Sequence, residues 1–132
     1  MTVDSVVLTT PGDTKSLIEN AATRFLDEVP ALAQLKLVLG LELHAHHDVQ
    51  IYRVEMPGPV VTKDLPSDAK ITLEVRRDAF NALADKGTVK DWRGAFEHGT
   101  AKAHGIEQYL RLIVQVVEKQ EERDRARRPR SH

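Results

Sequence analysis

The amino-acid sequence predicts an α+β fold, a mostly antiparallel sheet covered on one face by helices. Three observations predict it. Leu35, Leu37, Leu39, Leu41, Leu43 and Ala45 alternate with a second row, the period of a long half-buried strand. Leu17, Ile18, Ala21, Ala22, Phe25, Leu26 and Val29 recur at helical spacing. The segment Ile106 to Val117 is helical too, but too apolar for an ordinary surface helix. Stepped at about 100° per residue, Ile106, Tyr109, Leu110, Ile113, Val114 and Val117 form one stripe. Leu112 and Val116 widen it to an arc of roughly 200°, against the roughly 100° that a core-facing helix needs. Such a helix requires apolar contact on two sides: the core, and a partner subunit, a membrane, a lipid or simply more core.

The elements follow in order. Residues 1–13 read as a loose arm. Pro11-Gly12-Asp13 breaks the chain, and Asp13 or Thr14 caps the first helix, which Pro30 ends. The long strand then runs from Leu35 to Ala45, and His47-Asp48 turns the chain. Val49 to Met56 is a second strand whose alternation slips between Ile51 and Tyr52, the mark of a bulge. Pro57-Gly58-Pro59 is a turn, Val60 to Lys63 a short edge strand, and Leu65 to Asp68 a loop. Ile71, Leu73 and Val75 alternate with Thr72 and Glu74 as another strand. Asp78 to Lys86 is a short helix closed by Gly87, and Lys90 to His98 a second closed by Gly99. Thr100 to His104 is a short strand, Gly105 a bend, and the apolar helix follows. Strands flanked by helices in this order give the α+β class.

Composition bounds the function. The 132 residues suit one domain, with 41% apolar and 30% charged residues, as in a soluble globular protein. Aromatics make up only 5%, so aliphatic side chains build the interior. The absence of cysteine excludes disulfides and thiol catalysis and fits a reducing cytoplasm. A net charge of −1 supplies no field for nucleic acid. No apolar run spans a bilayer and no secretory leader is expected. Residues 118–132 form a charged helix end and tail. Glu118 to Arg130 holds six basic and four acidic residues, a solvated end or a weak handle for transient contact with membrane headgroups.

The residues offer little chemistry. His44-Ala45-His46-His47-Asp48 begins like a metallo-β-lactamase zinc motif, but Val49 stands where the next histidine belongs. On a strand, His44 and His46 share a face and resemble a clamp for zinc or nickel, with Glu42 or a cross-strand residue as third ligand. The plainer reading is a solvated strand end, and no metal site is assigned. Glu55, His47, His98 and His104 are the acids or bases available for proton transfer. Nucleophile elbow, phosphate loop and dinucleotide fingerprint are all missing, so no catalytic residue and no cofactor are assigned.

The run from Ile71 to Gly105 resembles the sterol carrier protein 2 family of non-specific lipid-transfer proteins. The shared pattern is the strand Ile71-Thr72-Leu73, then Phe80 and Leu83 in a short helix ending at Gly87. A second short helix carries Phe96 and Gly99, and the small strand Thr100-Ala101-Lys102-Ala103-His104 ends in Gly105. With the preceding helix and hairpin, the resemblance covers roughly Thr14 to Val117. It implies a five-stranded sheet with helices over one face and, between them, an apolar tunnel for fatty acyl chains, acyl-CoA or sterols. The family commonly carries larger apolar residues where Ala101 and Ala103 stand; the small pair either widens the cavity or lets a helix sit closer.

The expectation is therefore a single-domain cytoplasmic carrier that sequesters a hydrophobic ligand. Its tunnel is expected to be lined by Phe25, Leu39, Leu41, Phe80, Leu83, Trp92, Phe96, Tyr109, Leu110, Ile113 and Val117. Two alternatives stay open. One is a small isomerase or cyclase acting on a hydrophobic substrate in the same pocket. The other is a structural module whose last helix forms a homodimer interface.

Overall fold

The computed structural model describes residues 11–127. Helix α1 (Pro11–Glu28) leads into a 3-10 helix (Pro30–Leu35), then strands β1 (Val38–His44), β2 (Val49–Glu55), β3 (Val60–Thr62) and β4 (Ile71–Arg76). Helices α2 (Arg77–Lys86) and α3 (Val89–Glu97), strand β5 (Ala101–Gly105) and helix α4 (Glu107–Arg127) complete the order. The five strands make one sheet in the order β3-β2-β1-β4-β5. β1 and β4 pair in parallel at its centre, and the other pairs are antiparallel. The fold is α+β, as the sequence predicts.

Alternation assigns the two faces. Leu41, Leu43, Tyr52, Val54, Val61, Val75 and Ala101 point to the inner face and are buried. Over them lie Ile18, Ala21 and Ala22 of α1, Phe80 and Ala84 of α2, and Trp92 of α3. The alanines let helix backbones approach each other and the sheet closely, beside the large buried side chains of Tyr52, Phe80 and Trp92. Trp92 sits between two rings, with centroids 5.6 Å from Phe25 and 6.0 Å from Phe80. Such tilted aromatic pairs contribute about 0.5–1.5 kcal/mol beyond their buried area.

Several expectations give way to the structure. The long strand is shorter than its leucine pattern. Pro30 starts a 3-10 helix that takes Leu35, and Lys36 adopts a left-handed φ of 49° that separates it from β1. Ala45 falls in the turn beyond the strand, where its N–H donates to the Asp48 carbonyl at 2.8 Å. No bulge interrupts β2. Its register against β1 is continuous from Val38↔Glu55 to His44↔Val49, and Val49 and Ile51 simply occupy the outer face. Thr14 is not a cap. The helix begins at Pro11, and Thr14 is fully buried within it, its hydroxyl accepting from Arg77 at 2.6 Å. Gly87 ends α2 in an extended rather than left-handed conformation, whereas Gly99 does take a φ of 80°. The expected arm lies largely outside the described residues, and its last three positions already belong to α1.

Two glycines fix the frame. Gly40 lies on the outer face, where a Cβ would come within 2.7 Å of Pro66 Cγ. The loop from β3 to β4 therefore crosses the outer face directly above it. Arg53, opposite Gly40, grips that loop through two hydrogen bonds to Asp68, at 3.0 and 2.7 Å. The guanidinium holds the Asp68 carboxyl below the ordinary aspartate range. Gly105 ends β5 with φ 143°, and a Cβ there would meet the Lys70 carbonyl oxygen at 2.4 Å. This close backbone passage, with its positive φ, requires a glycine where β5 hands over to α4.

Candidate functional site

The helices do not cover the inner face evenly. Ala101 is buried beneath α3, but Ala103, on the same face of edge strand β5, is exposed. The closer approach of a helix, one of the two readings of the alanine pair, holds at Ala101. A helix sits close over Ala101, while Ala103 leaves the surface open. Leu73 stands between Ala103 and Leu41 in register and is only half-buried. Leu39, Leu83, Ala95 and Phe96 are likewise half-buried against the main cluster.

Helix α4 explains the opening. Its Val117 is buried with Val29, Leu32 and Val89 in a second cluster, flanked by Ile113, Val116, Leu35, Phe25 and Leu26. The helix thus packs across the 3-10 helix and the end of α1. Arg93 of α3 pairs with its Glu121 at 3.0 Å. Its apolar stripe is not satisfied on two sides. Ile106 remains 44% exposed, Leu112 39% and Val114 51%.

The eleven residues expected to line a tunnel thus divide. Leu41, Phe80 and Trp92 are buried within the main cluster, with half-buried Leu39, Leu83 and Phe96 at its margin. Val117 and Ile113 belong to the second cluster, and Phe25 touches both. Tyr109 and Leu110 are half-buried on the first turns of α4, outside both clusters. The sequence reading missed Leu73, Leu26, Leu35 and Val116 at the same margins. The Ile71-Leu73-Val75 alternation carried the signal for Leu73.

The interlayer holds few polar groups. The Tyr52 hydroxyl and Asn81 Oδ1 are buried without a hydrogen-bond partner. At one end, Arg77 donates to Gln50 Oε1 at 2.5 Å and to Thr14, tying α2, β2 and α1 together. No carboxylate or histidine is buried among the described residues. Of the four candidate acids and bases, Glu55 is exposed and binds Arg53, and His47 is exposed in the turn. The exposed His98 contacts the Gly94 carbonyl through Nδ1, and His104 lies on the outer face against Glu74. A separate open cleft of about 750 Å³ lies between the end of α1 and the last turns of α4. Asp27, Glu28, Gln120, Arg123, Asp124 and Arg127 line it, and those charged walls do not suit a hydrocarbon.

The fold recurs in known structures. The crystal structure of sterol carrier protein 2-like 2 from Aedes aegypti superposes with a TM-score of 0.52 at 19% identity, covering 80% of this chain and 97% of that one. The chain has the sterol carrier protein 2 fold. The solution structure of the same mosquito protein in palmitated form matches at TM-score 0.51 and 19% identity, over 76% of this chain and 93% of that one. Sterol carrier protein domain 2 of Helicoverpa armigera matches at TM-score 0.52 and 12% identity, over 89% and 91% respectively. No protein-family model and no curated protein sequence matches the chain. Among the described residues of this sterol carrier fold, no helix is long and apolar enough to cross a membrane.

Proposed function

We propose that the protein is a cytoplasmic carrier that holds a fatty acyl chain, acyl-CoA or sterol-like ligand between its sheet and helices. The reading is carried by the uneven cover of the inner face, where exposed Ala103 adjoins half-buried Leu73 in a sterol carrier fold. Aliphatic walls without charge bind a hydrocarbon by removing it from water, at about 0.8 kcal/mol per methylene. The orphan Tyr52 hydroxyl and Asn81 carbonyl favour a ligand with a polar atom at one end, because each buried unpaired group costs about 1–3 kcal/mol. The palmitated form of the mosquito relative makes palmitate the first ligand to try. Among the described residues no acid or base is buried in the interlayer, which favours carriage over isomerisation or cyclisation.

Native mass spectrometry of protein purified without detergent is expected to reveal a co-purified lipid. A fluorescent fatty acid should bind the delipidated protein and be displaced by palmitate. A clean apo mass together with no fluorescent binding would refute the carrier. A homodimer is the second reading, favoured by the exposed Leu112 and Val114. Sedimentation of the wild type against the double variant Leu112→Ser, Val114→Ser tests it, since only a dimer through this face would dissociate.

A further inference from the structure

On the sheet face away from the helices, side chains of three neighbouring strands converge on one spot. His44 and Glu42 rise from β1, Glu74 from β4 and His104 from β5. His44 Nε2 lies 3.1 Å from Glu42 Oε1 and 3.9 Å from Glu74 Oε1. His104 Nε2 lies 2.8 Å from the other oxygen of Glu74. One donor atom from each of Glu42, His44 and Glu74 falls within 4.8 Å of the others.

We propose that Glu42, His44 and Glu74 bind a zinc-class divalent ion, with His104 orienting Glu74 from behind. Three observations carry the site. The first is spacing. Ligand atoms about 2.0 Å from a tetrahedral zinc stand roughly 3.3 Å apart, so separations of 3.1 and 3.9 Å need only small side-chain shifts. The second is charge. Glu42 and Glu74 are direct neighbours in the parallel register, and like charges so placed oppose strand pairing. Neither carboxylate forms an ion pair with a lysine or arginine among the described residues. Lys102 stands opposite Glu74 without pairing to it, and Arg76 is turned to Asp78 at 3.1 Å. A bound dication neutralises both carboxylates at once.

The third is chemistry and access. A mixed imidazole and carboxylate set selects zinc, nickel or copper over magnesium or calcium. The three ligands are half-buried, held by strands rather than loops, and open to solvent on one side. The crossing loop is pinned over Gly40 and Arg53, one step away along the strands. His104 is placed like the outer carboxylate-binding partners that orient metal ligands elsewhere. His46, the sequence's first choice to accompany His44, instead meets the His47 ring edge to face in the turn, with ring centroids 4.6 Å apart.

Tag-free full-length protein, stripped with chelator, is titrated with zinc chloride against a chromophoric chelator. The wild type should bind one zinc ion per chain. His44→Ala and the isosteric Glu74→Gln should each abolish that binding with unchanged circular dichroism. His104→Ala should weaken it ~10-fold, the scale of a lost outer partner. The control His46→Ala, His47→Ala should bind as the wild type does. Cobalt(II) in place of zinc should give a visible spectrum that disappears in the same variants. No zinc uptake by the wild type, or uptake lost in the control and kept in His44→Ala, overturns the proposal. The lipid reading is unaffected either way, because the two sites use opposite faces of the sheet.

Discussion

Truncating Leu73 and Phe80 separates wall from core in one experiment. Phe80 is 1% exposed and packed on all sides, so Phe80→Ala should cost about 3–5 kcal/mol of stability. Leu73 is half-buried. A fully buried leucine cut to alanine costs about 2–5 kcal/mol, so Leu73→Ala should cost somewhat less, about 1.5–3 kcal/mol. Ligand reverses the order of importance. The part of Leu73 still open beside Ala103 is what a hydrocarbon can cover, the minor part of a side chain whose full burial contributes roughly 2 kcal/mol. Losing it should weaken palmitate binding by about 0.5 kcal/mol, roughly twofold. Urea unfolding with and without palmitate reads both quantities. At one hundred times its dissociation constant, a ligand raises stability by about 2.7 kcal/mol. Leu73→Ala should show a smaller increment than the wild type at the same palmitate concentration. Phe80→Ala, where folded, should keep the wild-type increment. If Leu73→Ala destabilises as much as Phe80→Ala and leaves the increment unchanged, Leu73 is ordinary core and the open-wall argument fails.

Three other outcomes follow from the same coordinates. Gly105→Ala should lower the thermal midpoint and speed amide exchange in α4, because the added Cβ meets backbone atoms of Lys70 and Ile71 that cannot swing aside. Thermal melts and hydrogen exchange check it. Tyr52→Phe should leave the apo protein as stable or slightly more so, since it removes an unpartnered buried hydroxyl, while weakening any ligand whose polar end reaches that atom. Asp68→Asn should lower the thermal midpoint at neutral pH. Because Arg53 depresses the folded-state pKa of Asp68, that contribution is present above the ordinary aspartate value of about 3.9 and lost as pH falls through the lower folded value. The difference between wild type and Asp68→Asn should therefore vanish in strong acid.

Much of the architecture was legible before any coordinates. Local periodicity placed the five strands and the four α-helices within a few residues, because burial on one face demands period two or 3.6 whatever lies opposite. It failed where the backbone departs from both periods. Leu35 continues the alternation of β1 on paper, but Pro30 and the left-handed Lys36 put it in a 3-10 helix. Val49 and Ile51 looked like a slipped register because apolar outer-face residues imitate inner-face ones.

The chain's own order of residues determined its elements, its aliphatic interior and an apolar stripe in excess of one core's needs. Tertiary structure alone decided how those pieces meet. Pairing of β1 with β4 is parallel and non-local, so nothing near Glu42 in the chain announces Glu74 or His104 beside it. Helix α4 lays its stripe over the 3-10 helix and the end of α1, and Ala103 stays uncovered. Periodicity reports which side of an element is apolar. What that side touches depends on contacts between distant segments, whose geometry no local pattern encodes.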